Sequence, residues 1–254
     1  MINRLREQLS SDKSCMACWC QYRDPQVVGA VAQQGFDAIV LDGQHGFHDE
    51  TSVLSCIPSI LLAGKSPVVR IPLDRWDFCE RALDYGALGV IAPMINCRKD
   101  AEAFVNAAKY LPLGNRSYGP RYAASLFGLR PNEYTTAANQ ETIAFAQIET
   151  REAFENLDDI LQVEGLDGIL MGPSDFSIFM QGGGLPDAYG PGSIEAVRKI
   201  AEKTRNAGKI AAAFTTNSDH AKLVHSFGYR FISLALDSGL IAAGSQNCLD
   251  GKAF

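Results

Sequence analysis

The amino-acid sequence predicts a single (β/α)₈ barrel. Three observations lead there. Eight short apolar runs recur along the chain, each followed by a segment with helical spacing, and the helices are commonly closed by a glycine. The runs are apolar nearly throughout rather than alternating, as strands covered on both faces of a parallel sheet must be. The length, 254 residues, suits one such barrel. An open doubly wound sheet is the competing architecture, but no GxGxxG follows any strand.

Each element has its own signal. Residues 4–11 read as a short helix, and CMACWC at 15–20 as the first strand. Asp24 and Pro25 open a helix, as N-cap and first-turn residue, that runs to Gln34 and stops at Gly35. DAIVLD at 37–42 is the second strand, followed by a helix over about 50–62. PVVRI at 67–71 is the third strand, and a helix from Asp74 to Tyr85 ends at Gly86. GVIAPM at 89–94 is the fourth, followed by a helix from Arg98 to Tyr110. Strands five to eight fall at 144–149, 167–171, 209–214 and 230–236, with helices at about 151–162, 193–207, 217–226 and from 238.

Residues 111–142 break this rhythm. They form a long excursion between a helix and a strand, so they start on the barrel face opposite the strand C-termini. Such a segment serves catalysis only by reaching a neighbouring subunit. The last helix is likewise expected to pack on a neighbour.

Composition narrows the function classes. Hydrophobic residues make up 46% of the chain, enough for a sizeable core. The net charge is −6, with both signs mixed along the chain, which argues against nucleic acid or a membrane surface as partner. MINRLREQLS lacks the apolar core of a signal peptide and no run reaches spanning length, so a soluble, cytoplasmic protein is expected. The seven cysteines are scattered. Cys15 and Cys18 form a CxxC without the second pair a zinc site needs, and all seven read as reduced thiols packed as small apolar groups.

Reactive groups of a barrel collect at the C-terminal ends of its strands. Those ends carry Trp19 and Arg23, Asp42 and His45, Arg70, Gln147 and Glu149, Ser174 and Asp175, Phe214 and Asp237. Glu149 and Asp175 end neighbouring strands. Two hard oxygen donors with no Cys or paired His suit Mg²⁺, Mn²⁺ or Co²⁺. Gly172-Pro173-Ser174-Asp175 adds backbone N–H groups for a carboxylate. Arg70, charged at the end of an apolar strand, needs an anion, either a protein carboxylate or the substrate. His45 sits where a general base would sit, whereas Asp84, near a helix end, says little by position. No lysine projects into the mouth for Schiff-base chemistry, and the loops after strands seven and eight lack a phosphate cup.

The motifs LDGQH (41–45), PVVR (67–70), QIETR (147–151), VEGLDG (163–168) and GPSD (172–175), in this order, resemble the HpcH/HpaI aldolase family, the metal-dependent class II pyruvate aldolases. The resemblance covers nearly the whole chain and extends to 4-hydroxy-2-oxoheptanedioate and 2-dehydro-3-deoxyglucarate aldolases of aromatic and sugar acid catabolism. It implies reversible cleavage of a 4-hydroxy-2-oxo acid to pyruvate and an aldehyde. It further implies a divalent metal on Glu149 and Asp175, Arg70 stabilising the enolate, and His45 paired with Asp84 for proton transfer. Asp42 and Trp19 would line the aldehyde end, Gln147 would contact substrate, and the Ser174 and Asp175 backbone would hold the pyruvate carboxylate. A homo-oligomer, a hexamer built as a trimer of dimers, is implied as well.

Two departures stand out. Position 44 is Gln where the family commonly has Glu, and residues 114–128 carry Arg116, Arg121, Tyr118 and Tyr122 in place of smaller side chains. Arg23 and Arg121 are therefore expected to read a second acidic or aromatic group on the aldehyde. The competing functions are oxaloacetate decarboxylation, lysis of a CoA thioester, or non-catalytic binding of 2-oxo acids. A binder has no need of His45.

Overall fold

The computed structural model describes residues 4–11 and 13–250. In chain order the elements are α1 (Arg4–Ser10), β1 (Cys15–Cys20), α2 (Pro25–Ala32), β2 (Ala38–Asp42), α3 (Glu50–Leu62), β3 (Ser66–Arg70), α4 (Trp76–Asp84), β4 (Gly89–Ala92) and α5 (Arg98–Ala108). There follow α6 (Arg121–Leu126), α7 (Pro131–Glu141), β5 (Ile143–Ile148), α8 (Arg151–Glu155), α9 (Leu157–Leu161), β6 (Gly168–Met171) and α10 (Pro173–Gln181). The chain closes with α11 (Ile194–Asn206), β7 (Ile210–Phe214), α12 (Ser218–Ser226), β8 (Phe231–Leu236) and α13 (Asp237–Asp250). The eight strands pair in parallel, in sequence order, into a closed barrel. The first three residues of MINRLREQLS lie outside the described part. Among the described residues no helix is long and apolar enough to cross a membrane.

Alternation along each strand divides the core into two layers. Cys15, Ala17, Trp19, Val40, Val68, Phe145, Leu170, Ala212 and Phe231 fill the barrel interior. Cys18, Cys20, Ile39, Leu41, Val69, Ile169 and Met171 face the surrounding helices. Cys15 and Cys18 thus point to opposite sides of β1, and all seven cysteines are free. The same parity sends the last inward residue of each strand into the barrel mouth.

Three segments differ from the sequence expectation. The excursion at 111–142 folds into α6 and α7 around a cluster of Tyr110, Ala123, Ala124, Tyr134 and Ala138. It docks on α4, where the Tyr134 hydroxyl donates to the Leu83 carbonyl at 3.3 Å. The helix expected over 151–162 is broken at Asn156, whose side chain donates to the Asn96 carbonyl at 3.0 Å. An extra helix, α10, starts directly at the end of β6, with Pro173 in its first turn and Gly182 as a left-handed cap at φ 77°. The final helix α13 buries Asp237 and leaves most of its remaining length exposed.

Candidate active site

A cavity of about 180 Å³ opens at the C-terminal ends of the strands. Its wall holds Trp19, Asp42, His45, Arg70, Gln147, Glu149, Ser174 and Asp175, together with Gln21, Leu170, Gly172, Pro173, Phe214 and Leu236.

Asp42 and Arg70 are register partners on β2 and β3. Arg70 donates to Asp42 from Nε at 2.9 Å and from Nη2 at 2.7 Å, a bidentate pair. Asp42 also accepts from the backbone N–H groups of Gln44 and His45 at 3.0 and 3.2 Å. Burial works against its charge, but the Arg70 bonds and charge and the His45 N–H outweigh it and hold the carboxyl below its usual range. The two alternatives for the partner of Arg70 are thereby decided for the protein carboxylate. The guanidinium also stands 5.0 Å from the Trp19 ring centroid. Its Nη1 makes no hydrogen bond among the described residues and remains available to the cavity. Asp42, itself part of the cavity wall, therefore anchors Arg70.

Glu149 lies one residue past β5 and is buried. Its Oε1 accepts from Met94 N–H at 2.8 Å, and its Oε2 accepts from Gln147 Nε2. Burial pushes the carboxyl up to about 7, with the Asp175 charge adding to it and the two hydrogen bonds and Arg70 opposing it. Met94 reaches this bond in the left-handed region, at φ 55°. Gly172 leaves close room for the Glu149 and Gln147 side chains. A Cβ there would lie 2.7 Å from Glu149 Oε2 and 2.8 Å from Gln147 Nε2. Asp175 stands in the first turn of α10, beside Ser174, where backbone N–H groups lack helical acceptors.

The donor set fits a hard divalent cation. Among the described residues no three His, Cys, Asp or Glu form a cage. Mg²⁺-type ions, however, take one or two protein carboxylates and complete their shell with water and substrate. Glu149 and Asp175 supply the carboxylates. Gln147 Oε1 is a buried acceptor in the same wall without a donor among the described residues.

The profile of the HpcH/HpaI aldolase/citrate lyase family matches residues 16–243. The chain belongs to that family. It is 31% identical, over the full length of both chains, to the hydroxypyruvate/pyruvate aldolase of Rhizorhabdus wittichii. It is 30% identical to the 4-hydroxy-2-oxo-heptane-1,7-dioate aldolase of Klebsiella pneumoniae, over 97% of this chain and 92% of the other. A solved HpcH/HpaI aldolase/citrate lyase family structure from Burkholderia cenocepacia superposes with a TM-score of 0.87 at 25% identity, covering 98% of each chain. The protein is a carbon–carbon lyase of the aldolase type.

Three residues expected at the site of this HpcH/HpaI family member stand away from the cavity. Asp84 ends α4, which runs from the strand C-termini back to the opposite face, so within one chain it does not meet His45. It is held instead by Arg116 Nη2. Arg116 is buried and lies 4.5 Å from the Tyr110 ring centroid, so it does not reach the aldehyde end either. Arg121 opens α6 on that same opposite face and is exposed. Arg23 lies outside the cavity and pairs loosely with Asp49 at 3.4 Å across an exposed surface.

The apolar part of the cavity wall is built from Trp19, Phe214, Leu170 and Leu236. Trp19 and Phe214 meet edge to face at 5.0 Å. Phe214 is one of the strand-end residues expected from the sequence, two positions after the inward Ala212. Leu236 was not legible, because a register shift between Ala17 and Cys18 brings it opposite Trp19. Asp237, a strand-end carboxylate in the sequence, is structural. Its Oδ2 accepts from Gln21 and Tyr22 N–H at 2.9 Å each and fixes the loop after β1. His48 was passed over. It is buried behind Asp42, bonds Ser52 through Nδ1 at 3.2 Å, and is kept below the usual histidine range by burial.

Proposed function

We propose that this chain is a divalent-metal-dependent aldolase that reversibly cleaves a 4-hydroxy-2-oxo acid into pyruvate, or a pyruvate bearing a 3-hydroxyl, and an aldehyde. The observation that carries this reading is the convergence of a carboxylate-anchored arginine, two neighbouring carboxylates and a helix N-terminus on one cavity of about 180 Å³. The names of the aldolase relatives point the same way.

A Mg²⁺, Mn²⁺ or Co²⁺ ion on Glu149 and Asp175 supplies Lewis acidity toward the 2-keto group. The chain's own groups do the rest. The N–H groups of Ser174 and Asp175 orient the substrate carboxylate. Arg70, prevented from swinging by Asp42, sets a positive charge where the enolate oxygen develops. His45, exposed at the rim, takes the C4 hydroxyl proton as the C3–C4 bond breaks and the aldehyde departs. The enolate carbon then takes up a proton to give the methyl or hydroxymethyl group. Trp19, Phe214 and Leu236 present an apolar wall, which favours aldehydes without a second charge. Asp84 reaches His45 only from a second copy of the chain, so the working form is a homo-oligomer, for which the resemblance suggests a hexamer.

The test follows pyruvate methyl protons by NMR in D₂O after chelation and restoration of Mg²⁺ or Mn²⁺. Metal-dependent exchange, lost in Glu149→Ala and Arg70→Ala, is the expected result. Pyruvate that binds the loaded protein and neither exchanges nor adds to any aldehyde would overturn it.

A further inference from the structure

A second cavity, of about 510 Å³, lies at the other end of the barrel. Its wall carries four cations, Arg6, Arg205, Lys209 and Arg230, against one carboxylate, Asp167. The topology gathers them. Asp167, Lys209 and Arg230 directly precede β6, β7 and β8, Arg205 sits in the last turn of α11, and Arg6 comes from α1.

Asp167 is already neutralised. Its Oδ1 accepts from Arg6 Nη2 at 2.7 Å, and its Oδ2 lies 2.7 Å from the buried Lys109 Nζ and accepts from Ala144 N–H at 2.8 Å. The other three cations have no carboxylate within salt-bridge distance among the described residues. Lys209 donates to the carbonyls of Val163 and Leu166 at 3.1 and 2.6 Å. Arg230 donates to the carbonyls of Tyr229 and His225 at 3.0 and 3.4 Å. Arg205 makes no side-chain hydrogen bond or ion pair among the described residues, yet it is folded over Gly228, where a Cβ would come within 2.5 Å of its Nη1. Gly228 has φ +99° and leaves the room for that guanidinium. Elsewhere on this acidic chain exposed cations find carboxylates, as in Arg81–Glu50, Arg98–Glu102, Arg130–Glu133 and Lys203–Asp158.

We propose that this cavity is a second binding site, separate from the catalytic one, for a small multivalent oxyanion, either a di- or tricarboxylate or inorganic phosphate. Two guanidinium forks and an ammonium around one cavity match the paired oxygens of such an anion, whereas chloride offers one acceptor point. The N-terminal face of a barrel governs stability rather than chemistry. An anion there ties α1 and α11 to the starts of β6, β7 and β8 and stabilises the fold by mass action. The proposal is independent of the catalytic reading.

The experiment is calorimetric titration of the full chain with inorganic phosphate and, separately, tricarballylate, against KCl at matched ionic strength. At least one of the two anions is expected to bind saturably with one-to-one stoichiometry and to raise the thermal midpoint, and which one does so names the source. Arg205→Gln with Arg230→Gln is expected to weaken binding at least tenfold, and Arg70→Ala to leave it unchanged. Ser10→Glu brings a carboxylate to the exposed edge of the cavity without removing a cation and is expected to abolish binding in a fully folded protein. No binding above the chloride control, binding indifferent to both wall variants, or binding lost with Arg70→Ala would each overturn the proposal.

Discussion

Asp42 and Arg70 stand opposite each other at the last positions of β2 and β3, joined by two parallel hydrogen bonds of 2.9 and 2.7 Å. Adjacent strands in this register leave the guanidinium one direction to point, with Nη1 toward the cavity. Asp42→Ala removes the only carboxylate bonded, among the described residues, to a largely buried arginine. A loss of about 3 kcal/mol in unfolding free energy is expected, as for other broken buried pairs. Pyruvate proton exchange is expected to fall at least tenfold. Urea denaturation with exchange NMR checks both. Asp42→Ala combined with Arg70→Ala is expected to be less destabilised than the sum of the single variants, because no charge is left unpaired.

Glu149 makes the chelated protein pH-sensitive. The folded state holds its carboxyl proton up to about pH 7, whereas the unfolded chain releases it near 4.5, the ordinary glutamate value. Between those values the folded state binds more protons, so stability falls as pH rises through the window. Its ceiling is roughly 3 kcal/mol, from 1.36 kcal/mol per pH unit. Glu149→Gln in chelator is expected to flatten the decline and to be the more stable protein at pH 8. Thermal midpoints of both proteins from pH 4 to 8 provide the check.

Gly172 leaves the space in which Glu149 and Gln147 meet. Its φ of −93° is open to any residue, so Gly172→Ala brings a steric contact and no backbone penalty. At least a tenfold loss in Mn²⁺ affinity is expected by calorimetry, with a shift of only a few degrees in thermal midpoint. A variant that binds Mn²⁺ like the parent would show that the carboxylate has room to move.

Asp84 and His45 lie at opposite faces of one barrel, so a working pair between them must join two chains. His45→Ala and Asp84→Ala are each expected to be inactive alone. Unfolded together and refolded as a mixture, they are expected to recover roughly a quarter of parental activity, the share of random interfaces that keep both residues. Recovery that stays at the level of the separate variants would place the proton transfer on His45 without Asp84.

Arg116 holds Asp84 from within the α6–α7 excursion and is buried against Tyr110. Burial raises the Asp84 carboxyl, and the Arg116 charge and hydrogen bond oppose it. Arg116→Ala strips the pairing from a half-buried acid, and a cost of about 3 kcal/mol is expected in denaturation. Asp84→Asn keeps a hydrogen-bond acceptor but leaves the more deeply buried Arg116 without its counter-charge, and is expected to cost a comparable amount.

Fold and site were legible to different degrees. The eight strands follow from local composition, because a strand covered on both faces must be apolar and glycines end the helices between them. Strand ends then located Trp19, Asp42, Arg70, Gln147 and Glu149, since alternation carries every second side chain inward. The excursion misled. Arg116 and Arg121 look alike in sequence, yet one is buried against Asp84 and the other is exposed on α6. Charge alone does not say which.

The sequence by itself determined the barrel, the family and the strand-end residues, because each depends on local periodicity and short motifs. The tertiary structure decided the partners. It gave Arg70 to Asp42 and Arg116 to Asp84, placed Leu236 opposite Trp19 through a register shift, and collected Arg205, Lys209 and Arg230 around one cavity. Those pairings join residues far apart along the chain. They follow from strand register and helix direction, which no local window of sequence contains.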